Sequence, residues 1–239
     1  MQAEDAIEKL EGIQSELNAM IKSENPEVRA AVARHGFGLK LLVDDLTPTV
    51  RQEVAKQGYG LPTLVNDPNK SVRNEVARKG YGLSILIDDE AWEVRESVAY
   101  QKHGLNKLSE DKHHCVRAAV VQSEYGMAVL SEDVHPLVRM TVARKGVCLS
   151  DLVKDPHPMV RKEVAKRGYG LEQLVNDDDH IVRTEVALKG FGLDVLCADP
   201  SWEVREAVAK LGFASELLIA DSNPHVAKAA SDAANLLDK

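Results

Sequence analysis

The chain has 239 residues, is 44% hydrophobic and 28% charged, and carries a formal net charge of −8. This is the balance of a soluble globular protein. No apolar run approaches the ~18–20 residues of a membrane-spanning helix, and the acidic excess argues mildly against a dedicated nucleic-acid binder. Aromatic residues make up only 4%, so valine, leucine and alanine must fill the core.

Residues 1–24 come first. Ile7, Leu10, Ile13 (or Gln14), Leu17, Met20 and Ile21 recur at helical spacing, which predicts an amphipathic helix. Its expected role is to cap the exposed apolar end of the neighbouring residues from 25 onward. Glu4, Asp5 and Glu8 stand where a secretion signal would be basic and then apolar, so the expected compartment is the cytoplasm.

A single pattern then takes over, as in Asp67 to Asp88, DPNKSVRNEVARKGYGLSILID. Val-Arg recurs every 22 residues from Val28-Arg29 to Val204-Arg205, nine times without insertion or deletion, and a tenth step lands on Val226-Ala227. A fixed period of this size marks a solenoid, whose units bury their apolar faces on their neighbours. The expected organisation is a capping helix over 1–24, repeats over 25–222 and a second capping helix over 223–239, all one continuous domain. In the last segment Val226, Ala229, Ala230, Ala233, Leu236 and Leu237 continue an apolar stripe.

Each repeat reads as one long and one short helix. Asn25-Pro26, Thr47-Pro48 and Asn223-Pro224 set an N-cap residue before a proline at the first helical position. Val28, Val32 and Ala33 begin the apolar stripe, and glycines such as Gly36, Gly58 and Gly80 end the helix, because glycine enters the left-handed conformation without a Cβ clash. A second glycine follows two residues on, with an aromatic between the two in most units: Phe37, Tyr59, Tyr81, Tyr125, Tyr169, Phe191 and Phe213. That column is expected to plug the gap between layers. Leu-x-x-Leu-Val leaves room for one or two turns, α or 3₁₀.

An aspartate closes every unit, and an arginine stands six residues later. The eight pairs are Asp45–Arg51, Asp67–Arg73, Asp89–Arg95, Asp111–Arg117, Asp133–Arg139, Asp155–Arg161, Asp177–Arg183 and Asp199–Arg205. Arg29 has Ser23 upstream and Asp221 has Ala227 downstream, so both are expected to lie outside this structural ladder. A partly buried guanidinium fork can bind the aspartate of its own loop and that of an adjacent unit.

Asp-x-x-x-x-Val-Arg-x-x-Val-Ala resembles the second-helix signature of HEAT and HEAT-like repeats. The short unit, with Leu-x-x-Leu-Val in place of a full first helix, is more similar to the leucine-rich repeat variant family, whose solenoid alternates α-helices with 3₁₀ helices. The resemblance covers about residues 25–226. It implies a binding role, which in some HEAT-like proteins is the holding of DNA. The cysteine cluster that ligates iron–sulfur in a founding-type member has no counterpart here, and the Gly-aromatic-Gly-Leu turn departs from the family's Asn-Pro turn.

Charge and histidine are also columnar. Arg34, Lys56, Arg78, Lys79, Arg144, Lys145, Lys166, Arg167, Lys189 and Lys210 precede the helix-ending turn. They complement the helix dipole, and Glu75–Lys79, Glu163–Arg167, Glu185–Lys189 and Glu206–Lys210 have the spacing of i, i+4 ion pairs. Asp44, Asp88, Glu90, Glu110, Glu132, Asp178 and Asp179 make the opposite edge acidic. His113, His135 and His157 share one position, with His114 and Cys115 adjacent. A metal site or a pH-sensitive patch is one reading and a polar helix-entry loop the other. Trp92 and Trp202 share the local sequence Trp-Glu-Val-Arg-Glu and are read as helix starters that pack over the neighbouring loop. Cys115, Cys148 and Cys197 hold three different repeat positions and are expected to be reduced thiols.

The middle repeats depart most from the pattern. Lys102 and Glu124 replace the helix-ending glycine, Tyr100 and Gln122 the base, and Ser109 and Ser131 the apolar residue after the second leucine. No nucleophile with a base, phosphate loop or metal-ligand set stands out, so neither catalytic residues nor a cofactor or metal is assigned. The sequence predicts an all-α right-handed solenoid of nine 22-residue repeats, each a long α-helix plus a short α or 3₁₀ helix. Its expected function is a non-enzymatic, monomeric scaffold binding another protein, without membrane contact, through Tyr100, His103, His113, His114, Tyr125, His135 and His157. The alternative is a HEAT-like nucleic-acid-binding or base-repair protein using the basic edge.

Overall fold

A computed structural model describes residues 2–237, with side chains over 4–235. Among these residues all regular structure is helical. A 20-residue helix, α1 (Gln2–Ile21), comes first. Long helices follow at α2 (Pro26–Arg34), α4 (Pro48–Lys56), α6 (Lys70–Arg78), α8 (Trp92–Tyr100), α10 (His114–Gln122), α12 (Pro136–Lys145), α14 (Pro158–Lys166), α16 (His180–Leu188) and α18 (Trp202–Lys210). Between them lie the short helices α3 (Leu39–Leu42), α5 (Leu61–Leu64), α7 (Leu83–Leu86), α9 (Leu105–Leu108), α11 (Met127–Leu130), α13 (Leu149–Leu152), α15 (Leu171–Leu174), α17 (Leu193–Leu196) and α19 (Ser215–Leu218). The last element is α20 (Pro224–Leu237).

The chain forms two compact units, Met1–Tyr125 and Gly126–Lys239. In the first, α2, α4, α6, α8 and α10 touch one another in series, with α1 against α2. In the second, α12, α14, α16, α18 and α20 do the same. Serial contact of neighbouring helices is the arrangement of an α-solenoid. The short helices are single α-turns, not 3₁₀ segments. In α3, Leu42 N–H reaches the Gly38 carbonyl at 3.0 Å and Val43 N–H the Leu39 carbonyl at 3.0 Å, with one 3₁₀-type bond from Leu41 N–H to Gly38 at the entry.

The two valines and the alanine of each long helix form the core with the second leucine of each short one. Val50, Val54, Ala55 and Leu64 illustrate it in the first unit and Val160, Val164, Ala165 and Leu174 in the second, all essentially without exposure. Each buried valine or leucine contributes about 1.5–3 kcal/mol and each alanine under about 1 kcal/mol. Val226, Ala230 and Ala233 extend this core into α20. Leu236 and Leu237, expected to continue the stripe, have side chains outside the described residues. In α1 burial is confined to Leu17 and Ile21, and Ile7, Leu10 and Ile13 remain 56–65% exposed. Over residues 4–16 that helix therefore lays no apolar face on the repeats.

The two glycines of each turn serve different needs. Both have positive φ, but the first has open space around its Cα at Gly58, Gly168 and Gly190. The second is packed against the residue 17 positions earlier. A Cβ added at Gly60, Gly82, Gly170 or Gly192 would clash with Cγ2 of Val43, Val65, Val153 or Val175. Ile21 covers Gly38 in the same way, so the end of α1 occupies the place of a preceding repeat. Where the second glycine is replaced, by Cys148 (φ 54°) and Ala214 (φ 52°), the residue 17 earlier is Ser131 or Cys197. Neither has a Cγ2. Each turns its single γ atom back to its own short helix, Ser131 Oγ to the Ala128 carbonyl at 2.6 Å and Cys197 Sγ to the Asp194 carbonyl at 3.2 Å.

The arginine of each repeat clamps two loops together. Arg51 sends Nε and Nη2 to the Asp67 carboxylate at 2.6 and 2.9 Å, and Nη1 to the Asp45 carbonyl at 2.6 Å. The Asp67 carboxylate also accepts the Asn69 N–H at 2.8 Å, ahead of α6. Of the two aspartates expected for each fork, only that of the adjacent unit is bound through its carboxylate. The carboxylate partner lies 16 residues ahead, in the next loop, and the aspartate six residues behind contributes only its carbonyl. The same fork joins Arg29–Asp45, Arg73–Asp89 and Arg95–Asp111 in the first unit, and Arg139–Asp155, Arg161–Asp177, Arg183–Asp199 and Arg205–Asp221 in the second. Arg29 and Asp221, expected outside the ladder, are members of it. Arg29 needs no aspartate behind it because the Ser23 carbonyl takes its Nη1 at 2.7 Å. Arg117 Nη1 bonds the Asp111 carbonyl at 2.7 Å, and Asp133 accepts the His135 N–H at 2.8 Å.

Burial pushes the Asp111 carboxyl up, but the Arg95 fork and the His113 N–H outweigh it and hold the pKa below the ordinary carboxylate value. A carboxylate with a depressed folded pKa stabilises the fold above its ordinary pKa of ~3.9, and that stability is lost as pH falls through the folded value. Arg95→Ala leaves Asp111 charged, half-buried and unpaired, and is expected to cost about 3 kcal/mol at neutral pH. Urea unfolding of the variant should show this loss at pH 7 and a much smaller one near pH 3.

The turns give a second test. Lys102 holds a left-handed conformation at φ 57° in place of the first glycine, which costs a non-glycine residue about 1 kcal/mol. Lys102→Gly is expected to raise stability by about 0.5–1 kcal/mol. Gly82→Ala, which adds a Cβ against Val65, is expected to lower it by at least about 2 kcal/mol, both read from denaturant midpoints.

Candidate functional site

Each long helix ends at an edge built from the basic columns and the aromatic turn, and each begins at an edge of loops carrying the aspartates. The loop edge is occupied by its own clamps. Its open, recurring depressions, such as the one lined by Asp44, Asp45, Arg51, Asn66 and Asp67, have the arginine forks for walls.

The turn edge differs. The aromatic column was expected to plug the gap between layers, yet Phe37, Tyr59, Tyr81, Tyr125, Tyr169 and Phe213 are 39–51% exposed, and Phe191 is half-buried. The gap is already filled by the aliphatic residue packed under the second glycine, which leaves the ring lying on the surface. His103 takes this position in its repeat, its Nε2 at 3.4 Å from the Ser84 hydroxyl of the preceding short helix.

Three of the four expected i, i+4 ion pairs do not form. Glu75 pairs with Arg78 at 3.3 Å, and Glu163 with Arg144 of the preceding repeat at 3.5 Å. Only Glu206–Lys210 closes as expected, at 2.8 Å. The reason is geometric. Lys79, Arg167 and Lys189 are C-cap residues with ψ near zero, so their side chains leave the helical row on which the glutamates stand. Among the described residues Lys79, Lys166, Arg167 and Lys189 have no acidic partner in hydrogen-bond or ion-pair reach.

The amides at this C-cap position escaped the sequence reading. Gln57 Nε2 donates to the Arg34 carbonyl at 2.8 Å and Gln101 Nε2 to the Arg78 carbonyl at 3.1 Å. Each closes the C-terminus of the preceding long helix and lies beside its glycine, Gly36 or Gly80. The available signal was the recurrence of glutamine at 57 and 101 in one column, where Lys79 of the same unit and Lys145, Arg167 and Lys189 of the second carry cations.

The residues read as a recognition surface fall into two sets. Tyr100, His103 and Tyr125 belong to the turn edge of the first unit. Burial and the nearby Glu96 push the Tyr100 hydroxyl pKa up, though about half of the side chain stays exposed. His113 and His114 lie at the other end of the long helices, at the start of α10, and His135 and His157 hold the same position in the second unit. His113, His135 and His157 are N-caps. Their Nδ1 atoms accept the N–H of Cys115, Leu137 and Met159 at 3.3, 3.2 and 3.2 Å. Asn25 and Asn223 cap in the same manner, whereas Thr47, expected to cap α4, makes no such bond and instead receives Arg29 Nη2 on its hydroxyl at 3.3 Å.

Trp92 stacks on His113 with ring centroids 4.3 Å apart, and His113 on His114 at 4.7 Å. Trp202 tilts over His225 at 5.4 Å. Among the described residues no group of three or more His, Cys, Asp or Glu side chains is placed to hold a metal ion, and the three cysteines are free thiols. No helix of these residues is long and apolar enough to cross a membrane.

An imidazole nitrogen accepts a hydrogen bond only when it carries no proton. Burial, helped by the adjacent His114, lowers the His113 pKa against the opposing pull of Asp111 and Glu93, with Arg95 acting in the same direction as His114. A histidine with a lowered folded pKa contributes stability above its ordinary value of ~6.5 and loses it as pH falls through the folded value. His113→Asn supplies a cap that does not titrate, and is expected to flatten the stability profile between pH 7 and 5 measured by urea unfolding. Compared with known proteins, the chain matches no family model and no curated protein.

Proposed function

We propose that this chain is a non-enzymatic scaffold that binds another protein along the turn edge, built as a right-handed α-solenoid of nine 22-residue repeats. The observation that carries the reading is the exposed aromatic column. Seven of the chain's ten aromatic residues stand in that one turn position, and six of them are 39–51% exposed. Burying such side chains fully would contribute about 1.5–3 kcal/mol each, so the fold forgoes stability by leaving them in water. Aromatic side chains are enriched at protein interfaces and among their energetic anchors.

The serial helix contacts in each unit support the solenoid, and the unbroken register supports the repeat count. The right hand rests on the resemblance to HEAT-like and leucine-rich repeat variant solenoids. Tyr100, His103 and Tyr125 enter the proposed surface with the rest of the turn edge. His113, His114, His135 and His157 lie at the other end of the long helices, where three of them cap. Three free thiols fit a reducing compartment.

A second reading has one observation in its favour. The unpaired cations Lys79, Lys166, Arg167 and Lys189 suit nucleic-acid backbone as well as protein. One experiment separates the two. The full-length chain, immobilised, captures its partner from the source cell, and the combined variant Tyr59→Ser, Tyr81→Ser, Tyr169→Ser is compared with it at equal helicity by circular dichroism. The expected result is a captured protein resistant to nuclease and weakened at least about tenfold by the substitutions. Capture that survives them and disappears with nuclease overturns the reading in favour of the second.

A further inference from the structure

One row of side chains on the long helices occurs twice, with different endings. Residues four apart on a helix lie one above another on its surface. In α8 such a row is Trp92, Glu96 and Tyr100, and in α18 it is Trp202, Glu206 and Lys210. The α18 row is complete in itself, because Lys210 Nζ reaches the Glu206 carboxylate at 2.8 Å. In α8 a tyrosine stands in the place of that lysine and brings the carboxylate no positive charge.

The neighbouring helices do not supply one. The two cations of the same row in α6 are committed elsewhere, Lys70 to Glu93 at 2.6 Å and Arg78 to Glu75 at 3.3 Å. Asn74, between them, accepts the Ser97 hydroxyl at 2.6 Å. On the other flank α10 presents Cys115 and Ala118. Glu96 is half-buried, and among the described residues it forms no ion pair. Burial, with Glu93 beside it, pushes the Glu96 carboxyl pKa up, and no cation opposes them. Lys79 and Lys102 stand at the turns beyond the row and do not act on it. A carboxylate drawn partly out of water without a counter-ion costs stability, and α18 shows which group removes that cost.

We infer that Glu96, between Trp92 and Tyr100, receives a lysine side chain of the partner protein. This deepens the scaffold reading and rests on it. Tyr100 already belongs to the turn edge, so the row carries that surface along α8. A helix rises ~1.5 Å per residue, which sets the carboxylate about 6 Å along the axis from each ring. The partner's ammonium takes the place on Glu96 that Lys210 Nζ holds on Glu206, and its apolar stem lies along the Tyr100 ring. A ring face within ~6 Å adds cation–π attraction. His113 holds the Trp92 ring in position, stacked 4.3 Å from it. The small Cys115 and Ala118 let the partner backbone come close, and the net charge of −8 favours the approach of a basic segment.

The test uses the full chain and fluorescence anisotropy at an ionic strength of about 0.15 M, where long-range attraction to the acidic chain is screened. One labelled probe is a synthetic peptide repeating Leu-Lys-Thr, and the other carries ε-acetyl-lysine in place of each lysine, which removes the charge and keeps the stem. The expected result is that the lysine peptide binds at least about tenfold more tightly. Glu96→Gln should weaken it at least about tenfold. Tyr100→Lys, which supplies the cation from within the chain as α18 does, should abolish it. Glu110→Gln, which removes an exposed acid of the same unit, should leave it unchanged. Circular dichroism of each variant checks that it remains folded. Equal affinity for the two peptides, no binding of the lysine peptide, indifference to Glu96→Gln or Tyr100→Lys, or an equal loss with Glu110→Gln overturns the inference. If the lysine peptide fails while tyrosine-dependent capture of a protein persists, the lysine site is wrong and the scaffold stands.

Discussion

The guanidinium fork at the seventh position of each repeat is the interaction on which the rest depends. Isolated helices of nine residues are marginal in water, and each repeat supplies only two valines, an alanine and a leucine to the core. The fork ties the start of one long helix to the loop that starts the next. It satisfies a loop carbonyl on one side and a carboxylate on the other, as Arg73 does with Asp67 and Asp89. That carboxylate also accepts the N–H ahead of the following helix, as Asp89 does from Ala91. One side chain therefore sets the register between neighbours, with the valine column buried directly beneath it.

A different constraint rules the opposite edge. There the second glycine packs on the aliphatic residue 17 positions earlier, so the turn is held by close approach and not by charge. The two edges have different freedom as a result. Aspartates and arginines at the loop edge are committed to each other. Of the residues before the first glycine, Gln57 and Gln101 close the preceding helix end, while Lys79, Lys166, Arg167 and Lys189 serve no contact of this kind. Surface chemistry can vary there without cost to the register, which is where a binding scaffold places its contacts.

Much of this was legible in the sequence because a repeat shows each position many times over. The 22-residue period, the valine, alanine and leucine core and the glycine-terminated helices are all periodic in a single chain. The Asp–Arg association was legible too, including the aspartate of an adjacent unit. What spacing does not show is that the aspartate six residues behind offers only its carbonyl, as Asp45 does to Arg51, which side-chain direction decides. The aromatic column was misplaced for a related reason. Aromatic residues between glycines look like filling, and the true filler is the valine or isoleucine of the preceding repeat. The histidine column was ambiguous because a cap, a metal ligand and an interface residue all prefer a helix entrance. Nothing in the sequence separates Nδ1 accepting the Leu137 N–H from the same atom meeting a metal.

The central claim is that neighbouring repeats are coupled through the fork rather than merely adjacent to it. A double-mutant cycle on Arg183 and Asp199, joined at 2.6 Å, tests this most directly. Arg183→Met, Asp199→Asn and the double variant are unfolded in urea at pH 7 alongside the parent chain. The account predicts a coupling energy of at least about 1.5 kcal/mol, as for contacting groups in one buried network. A coupling within about 0.5 kcal/mol of zero, with the two single losses simply adding, would contradict it.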